Sequence, residues 1–363
     1  MRLGLGWRNE LAPGIVANLD RIGVLEVLAE ELFDADAPRR RAMRFLAREV
    51  PVVLHATSLG LASTERVDRK RLDRIARVVD WLQPELWSEH LAFVRAGHRE
   101  IGHLAAPPRN DATLEGLVRN VEEARRVTGS LPLVENVASL IEPPLCAYDE
   151  AEWLHAVLAS TGCRLLLDLH NVHANSVNFG FDARALVASL PGERIGMVHI
   201  AGGRVIERGR VLDDHLHAVP REVVELLALV PADATVVLER DGNYPNIDVL
   251  LEELWSAAAF AAALERAEGA ERAERAPALP LPRDRKAVAP PAPLPATALH
   301  ILAELYTDAS AREAFLANPA GPLASIDPDD LRLAARSFER KRLHLVHEVR
   351  AEGEGGRERA GQG

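Results

Sequence analysis

The stretch "LLLDLHNVHANSVNFGFD", residues 165–182, joins an apolar run to a group of side chains that commonly bind metals. Its first part is typical of a buried strand, and Asp168, His170, Asn171 and His173 follow directly. A single histidine or carboxylate at a strand end is more often a hydrogen-bonded structural residue than a ligand. The stretch therefore points to a metal site only if other strands end in the same way.

Short β-rich runs recur along the chain, separated by longer amphipathic segments. Besides the run from residue 164, they begin at residues 3, 23, 51, 85, 131, 195 and 235. An intervening segment, "STERVDRKRLDRIARVVDWL" at 63–82, carries apolar side chains at helical spacing. Eight strands alternating with helices predict an α/β fold, a (β/α)8 TIM barrel. An open doubly wound sheet is the main rival, but no Gly-rich dinucleotide fingerprint follows the first strand.

The composition changes after the barrel. Residues 1–265 are assigned to the barrel domain, and residues 266–296, rich in Pro, Ala and charge, are expected to be a flexible linker. Residues 297–349 regain apolar periodicity and predict a small α-helical domain. Residues 350–363 are expected to be a disordered tail.

Within the small helical domain, Asp327 is a plausible N-cap and Pro328 suits the first position of a helix. Tyr306, Phe315 and Phe338 are expected to face inward. Three short helices of this kind form a minimal bundle, or they need a partner to complete their core.

Composition and charge argue against several classes of function. The net charge of −11 disfavours a surface that neutralises nucleic-acid phosphates. Cys146 and Cys163 are too few for a disulfide framework or a thiolate metal site, which favours a reducing cytoplasm. No apolar stretch has the length of a signal peptide or a membrane span, so no membrane association is expected.

The carboxyl ends of barrel strands meet on one face, where active sites of this fold lie. Buried carboxylates that face one another need compensating cations, and imidazole with carboxylate suits iron, manganese or zinc. The sequence therefore predicts a metal site at the barrel mouth. Nearly every predicted strand delivers such a side chain to it: Glu26, Glu30, His55, Glu89, His90, Glu135, Asn136, Asp168, His170, Asn171, His199, Glu239 and Asp241.

The supply of ligands exceeds what one metal needs. In addition to the strand ends, "LDDHLH" brings Asp213 and His215 into the loop after the seventh strand. This surplus favours two or three metals with a bridging carboxylate, and spacing leaves open which carboxylate bridges. Four other histidines are expected in exposed or solvated positions: His98, His103, His155 and His217.

These residues also stand in the order of a known family. The motifs span about residues 2–260: "GLGWRNE", "EVLAEE", "LHATSLGL", "SEHLAF", "ENVASLI", "LLLDLHNVHANSVNFGFD", "HIAGG", "DDHLHAVPREVV" and "LERDGNYP". The chain resembles the multinuclear non-haem iron-dependent oxidative enzymes, which include methanobactin-type peptide-modifying oxidases. The resemblance implies a TIM-barrel oxidase that modifies a Cys, or else an Asp or Asn, of a ribosomally made precursor peptide during natural-product maturation.

The resemblance also implies a cofactor of two or three irons per chain, in mixed Fe(II)/Fe(III) states, with O2 as co-substrate. Glu135 is the implied bridge. The implied iron ligands and catalytic residues are His55, His90, Glu135, Asp168, His199 and Glu239, and Asn171, Asp213 and His215 match positions around a further iron. Relatives commonly carry Asn at His170 and His at Gly203, and Leu216 and His217 are also uncommon choices. Contacts behind the ligands are therefore expected to differ.

Members of this family usually work with a separate protein that recognises the leader of the precursor. Residues 297–349 are expected to replace or dock that partner, or else to stabilise the barrel or mediate oligomers. Two other functions remain open from the residues alone. One is a dinuclear zinc or manganese hydrolase, or an isomerase, on the same barrel, and the other is a non-catalytic metal-binding scaffold. Metal identity and oxygen consumption discriminate among these functions.

Overall fold

The structure, a computed structural model, describes residues 1–275 and 297–341. Eight parallel strands form a closed barrel. The predicted TIM barrel and all of its predicted strands are confirmed. In chain order the strands of the described residues are β1 (Arg2–Gly6), β2 (Val24–Leu28), β3 (Val52–Ala56), β4 (Trp87–His90), β5 (Phe93–Ala96), β6 (Arg99–Ala105), β7 (Leu133–Glu135), β8 (Arg164–Asp168), β9 (Ile195–Ile200), β10 (Arg204–Val205), β11 (Val211–Leu212) and β12 (Thr235–Leu238). The barrel strands neighbour one another in the order β1, β12, β9, β8, β7, β4, β3, β2.

Helices surround the barrel, and most of the long ones begin at an Asp or Asn whose side chain accepts a backbone N–H of the first turn. Asp149 forms a reciprocal capping box with Glu152. The helices are α1 (Ala12–Ala17), α2 (Ala37–Glu49), α3 (Arg69–Leu82), α4 (Asp111–Thr128), α5 (Glu150–Thr161), α6 (Leu169–Phe179), α7 (Ala183–Ser189), α8 (Arg221–Leu227), α9 (Ile247–Arg275), α10 (Thr297–Thr307) and α11 (Ala309–Ala317), with a further helix, α12, over residues 328–341. None of the helices in the described ranges is long and apolar enough to cross a membrane.

Two antiparallel hairpins extend the strand ends above the barrel. One pairs β5 with β6, and the other pairs β10 with β11. Neither hairpin was predicted from the sequence, although Gly97, at φ 58°, marks the turn of the first. Both hairpins follow a barrel strand on the carboxyl side, so they add walls around the mouth where the polar strand ends meet.

The last barrel helix is longer than the sequence suggested. The predicted linker begins at residue 266, whereas α9 continues as far as Arg275. Its Ala-rich and Glu-rich composition explains the extension, because both residue types favour helix. The rest of that predicted linker, residues 276–296, lies outside the described residues, as do residues 342–349 of the predicted helical domain and the predicted tail.

The C-terminal helices pack against the barrel rather than around a core of their own. Leu302, Tyr306 and Leu331 share one buried cluster with Phe93 of β5 and Ile101 of β6. The first hairpin thus supplies the apolar surface that three short helices lack. As predicted, helix α12 begins at residue 328, and the Asp327 side chain caps it by accepting the Asp330 N–H at 3.0 Å.

Candidate metal centre

Alternation along the barrel strands places polar side chains above an apolar floor. Residues two positions apart point to the same face of a strand. Each member of one buried apolar layer is therefore followed, two positions later, by a polar residue nearer the carboxyl end. The layer consists of Val24, Val53, Leu133, Leu166, Met197 and Val237, and the polar residues above it are Glu26, His55, Glu135, Asp168, His199 and Glu239, all buried.

Six strand-end residues form what we name the inner cluster: His55, His90, Glu135, Asp168, His199 and Glu239. The potential ligand atoms of the inner cluster form two groups, and both groups include Glu135. Its Oε2 lies 3.5 Å from His55 Nε2 and 3.2 Å from His90 Nε2. Its Oε1 lies 3.3 Å from His199 Nδ1, which is also 3.0 Å from Glu239 Oε2. One carboxylate thus faces a different set of ligand atoms with each oxygen.

A second set of residues, which we name the outer cluster, consists of His170, Asp213 and His215. Asp213 Oδ1 lies 2.9 Å from His170 Nδ1 and 2.7 Å from His215 Nε2. The two clusters adjoin, because His215 Nδ1 is also 3.4 Å from Glu239 Oε2. His170 stands in the first turn of α6, whereas the other two residues follow β11 in a loop.

Several buried polar atoms of this region fit a cation better than they fit one another. Glu135 Oε2, Asp168 Oδ2 and Asn171 Oδ1 are buried and make no hydrogen bond. Leaving such groups unsatisfied is costly, so a native protein ordinarily supplies a partner. The donor atoms are nitrogen and oxygen, without sulfur, which suits iron, manganese or zinc. The residues present therefore fit the metal centre that the sequence predicted.

Strong electrostatic coupling accompanies this crowding. Burial alone would raise the pKa of Glu135, but the imidazoles of His90, His199 and His55 hold it below its ordinary value. Burial also disfavours imidazolium, yet Glu135 and Glu89 raise the pKa of His90 to about 9. Asp168 has fewer cationic neighbours, and burial raises its pKa to about 7. The carboxylates thus create a strongly cation-attracting pocket.

Other side chains orient the clusters from behind. Glu26 Oε2 lies 2.8 Å from His199 Nε2, which directs the opposite ring nitrogen toward Glu135. Ser88 Oγ lies 2.8 Å from His55 Nδ1 and fixes that ring in the same manner. Partners of this kind set the tautomer and orientation of a ligating histidine. Glu26 and Ser88 are therefore part of the centre's support.

An arginine balances the acidic rim. Burial would lower the pKa of the Arg8 guanidinium, but Asp241 and Glu239 raise it above its ordinary value. Arg8 Nε donates to Asp241 Oδ1 at 3.0 Å, and Arg8 Nη2 lies 3.8 Å from Glu239 Oε1. Asp241 in turn places Oδ2 3.3 Å from His215 Nδ1. Arg8 thus links carboxylates that contact both clusters. The sequence did not indicate this role, because Arg8 follows β1 and lies 233 positions before Asp241.

The structure brings all nine sequence-predicted metal residues to the barrel mouth. It adds His170 to them, a residue noticed in the motif but not assigned as a ligand. Other strand-end carboxylates have structural partners instead: Glu30 accepts the Thr57 N–H at 3.0 Å and Glu89 accepts the Leu59 N–H at 2.9 Å. The orphaned Asn171 Oδ1 faces no hydrogen-bond donor, while its Nδ2 donates to Asn136 O at 2.9 Å.

The four histidines that were expected to be exposed or solvated divide into exposed and packed ones. His98 and His155 are exposed, as predicted, and the side chain of His217 is 42% exposed. The prediction that His103 is solvated is wrong, because its ring packs edge-on against Phe338 of α12 at 5.6 Å. Burial holds the pKa of His103 well below its ordinary value. Residues 297–341, remote in sequence, cause this change of environment.

Two departures from the expected family pattern are adjacent in space. A side chain at position 203 would place its Cβ 2.6 Å from His170 Cε1 and 2.9 Å from His170 Nε2. It would also meet Leu212 O at 2.2 Å. The His170 ring can occupy its position beside Asp213 because residue 203 is glycine. Gly203 thus leaves the space that the His170 ring occupies behind the outer cluster.

Known proteins resemble this chain in both sequence and fold. A UPF0276 protein of Streptomyces avermitilis is 39% identical over 262 residues, covering 69% of this chain and 53% of that protein, so the match spans about half of that relative's length. A UPF0276 protein of Chromobacterium violaceum is 37% identical over 223 residues, covering 61% of this chain and 79% of the relative. A solved xylose isomerase-like TIM barrel/4-hydroxyphenylpyruvate dioxygenase fusion protein shares the barrel fold, with a TM-score of 0.53 at 14% identity, covering 75% of this chain and 44% of that one.

The family comparison covers the whole barrel. A model of the family described as RiPP precursor modification enzyme MbnB/TglH/ChrH matches residues 2–262. RiPPs are ribosomally synthesised and post-translationally modified peptides. The matched span contains every residue of the inner and outer clusters. This chain belongs to the MbnB/TglH/ChrH family of RiPP precursor modification enzymes.

Proposed function

We propose that this chain is an iron-dependent, O2-consuming oxidase that modifies a residue of a ribosomally synthesised precursor peptide. The observation that carries the proposal is the position of Glu135, whose two oxygens face separate sets of buried nitrogen and oxygen donors. A bridging carboxylate is the expected link between adjacent metals. The family resemblance favours Cys as the modified residue, with Asp or Asn as the alternatives.

The proposal assigns ligands to two or three irons in mixed Fe(II)/Fe(III) states. One iron would be held by His55, His90 and Glu135, and a second by Glu135, Asp168, His199 and Glu239. A third would be held by Asp213 and His215, with His170 or with the unpartnered Oδ1 of Asn171. Iron bound there would supply one-electron chemistry toward dioxygen and a Lewis-acidic position for a donor atom of the substrate. The same donor types also suit zinc or manganese, so metal identity is the decisive property.

The chain's own residues contribute positioning and exclusion of water. Glu26 and Ser88 fix two imidazole rings, and Arg8 restrains the carboxylates of Glu239 and Asp241. The inner cluster is almost fully buried, which keeps bulk water from the reacting groups. Under this proposal a peptide segment reaches the clusters from the barrel mouth, past the two hairpins.

The first experiment is elemental analysis with Mössbauer spectroscopy on protein purified and reconstituted without oxygen. It compares the wild type with Glu135→Ala and with the surface control Glu85→Ala. Two or more irons per chain, with magnetic coupling lost only in Glu135→Ala, together with O2 consumption in the presence of precursor peptide, would support the proposal. Stoichiometric zinc would favour the hydrolase or isomerase alternative, and tight metal binding without turnover would favour the scaffold.

Recognition of the precursor's leader is assigned either to a separate partner protein or to the C-terminal helices. Charged side chains of α12 pair with the barrel, and its apolar side chains are buried against the first hairpin. This packing favours a separate partner. Fluorescence anisotropy of a labelled precursor, comparing the full chain with a deletion of residues 290–363, tests the assignment. Unchanged affinity would support the separate partner, whereas loss of affinity in a folded deletion variant would support the fused helices.

A further inference from the structure

Ion pairs connect helix α12 to the turn of the second hairpin, which directly precedes the loop that carries Asp213 and His215. Arg208 Nη1 lies 2.8 Å from Asp327 Oδ1 and 2.6 Å from Asp330 Oδ1, and Arg210 pairs with the other oxygen of Asp330. Arg336 Nη2 donates to Glu207 Oε2 at 3.0 Å. Residues 207–210 of the second hairpin thus contact both the start and the middle of the helix.

Asp330 is the centre of this contact. Its side chain is 7% exposed, and two guanidinium groups from the hairpin satisfy it. A buried carboxylate that loses its partners is strongly destabilising, whereas an exposed pair contributes little. The hairpin and the helix are therefore expected to hold one relative position, with Asp330 as the principal restraint.

The same helix reaches the outer cluster directly. Lys341 Nζ donates to the backbone oxygen of Asp213 at 3.0 Å. The side chain of Asp213 lies between His170 and His215, so its backbone position determines whether all three ligand atoms converge. From the barrel side, Asn178 of α6 restrains the preceding strand by hydrogen bonds to both backbone groups of Val211, at 2.8 and 3.0 Å. The loop is thus held from both sides.

We propose that helix α12 is a positioning element for a metal ion at the outer cluster, acting through Asp330 and Lys341. The inference rests on the proposed metal centre and gives the C-terminal helices a role within it. A leader-binding surface would leave its charged side chains available to a peptide. On α12, Asp330 and Arg336 instead pair with side chains of the second hairpin. The outer cluster then requires residues that lie outside the barrel, whereas the inner cluster does not.

The test uses the full chain and compares Asp330→Asn, Lys341→Met and the control Arg332→Gln with the wild type. Arg332 also lies on α12, but it pairs with Glu313 of α11 and not with the hairpin. Each protein is reconstituted anaerobically with Fe(II) alone, and bound metal is counted and titrated. We expect the most weakly held iron to be lost, or its dissociation constant to rise roughly 10-fold or more, in the two test variants only. Lys341→Met keeps the inference testable if Asp330→Asn folds poorly.

A second readout separates the inference from the proposed function. Hydrogen exchange on the metal-free proteins should show loss of protection over residues 204–215 in Asp330→Asn and not in Arg332→Gln. Wild-type stoichiometry and affinity in both test variants would overturn the inference and leave the metal-dependent function standing. A wild type that binds no iron would defeat the proposed function, and the exchange experiment would still decide whether α12 orders the loop. Unchanged exchange in Asp330→Asn would contradict the positioning role.

Discussion

The inner and outer clusters use the same side-chain types on different supports. The inner residues stand at the ends of barrel strands, where each strand is hydrogen-bonded on both sides; β3, for example, pairs with β2 and β4. The outer residues stand on the first turn of α6 and in a loop where His215 adopts a positive φ of 54°. The sheet sets the inner geometry, whereas individual side-chain contacts set the outer geometry.

Exposure differs in the same sense. The side chains of Asp168 and His199 are fully buried. In the outer cluster His170 is also buried, at 1% exposure, but Asp213 is 19% and His215 is 12% exposed. Partial access to water screens charges and allows exchange of a bound ion. We therefore expect tight metal binding at the inner cluster and weaker, more readily lost binding at the outer one.

Loss of a central histidine should have the largest effect on this contrast. His199 Nδ1 lies close to both Glu135 and Glu239, so we expect His199→Asn to lose the metals of the inner cluster. His215→Asn should lose only the outer metal. The metal-free His199→Asn protein should also be less stable, by about 3 kcal/mol, because buried carboxylates lose a cationic partner. Metal counting after anaerobic reconstitution and denaturant unfolding measure the two effects.

His217→Asn is the matched control, since this loop histidine is 42% exposed and close to His215 in sequence. It should retain full metal content. Equal losses from His199→Asn and His215→Asn would mean that the clusters form one cooperative unit and that the division drawn from their supports is wrong.

How far the sequence predicted each cluster follows from the same difference in support. The inner residues were predictable because alternation carries Val53 to His55 and Leu133 to Glu135 on one face of a strand, and a barrel brings strand ends together. The association of α12 with the loop was not predictable, because Asp330 and Arg208 are far apart in sequence and their pairing depends on how the C-terminal helices fold back. His170 was noticed, but its proximity to Gly203 depends on the path of the loop after β9.

An added methyl group at Gly203 should remove the outer metal selectively. The new Cβ would lie 2.6 Å from His170 Cε1 and 2.2 Å from Leu212 O, so either the ring or the loop must move. We expect Gly203→Ala to lose one metal equivalent and to keep the inner metals. Gly192→Ala, whose added methyl would meet the Pro231 ring at 3.2 Å from Cγ and 3.9 Å from Cδ, is the control. Retention of the outer metal in Gly203→Ala would show that the loop relaxes without cost to binding.

A pH dependence should follow from His90. Its folded-state pKa of about 9 lies above the ordinary value of 6.5, so the stability it contributes is fully present below pH 6.5 and is lost as pH rises to about 9. The loss is on the order of 3 kcal/mol for the metal-free protein. Metal binding should show the opposite trend, because protons compete for the same nitrogen.

Denaturant unfolding of chelator-treated protein at pH 6.5 and pH 9 measures the first trend, and metal titration over the same range measures the second. His90→Asn should flatten the stability change between the two pH values. A His90→Asn protein with the full wild-type pH dependence would assign the effect to another inner group.

The smallest effects are expected from residues that orient ligands without providing any. Glu26→Gln keeps an oxygen acceptor for His199 Nε2 but removes the negative charge that makes this imidazole a better ligand. We expect roughly 10-fold weaker metal binding at the inner cluster and no change at the outer one. Ser88→Ala should cost less, because a neutral hydroxyl orients His55 without changing its charge. Titration with Fe(II) under anaerobic conditions measures both. If Ser88→Ala weakened binding as much as Glu26→Gln, ring orientation rather than ligand charge would be the main contribution of the residues behind the inner cluster.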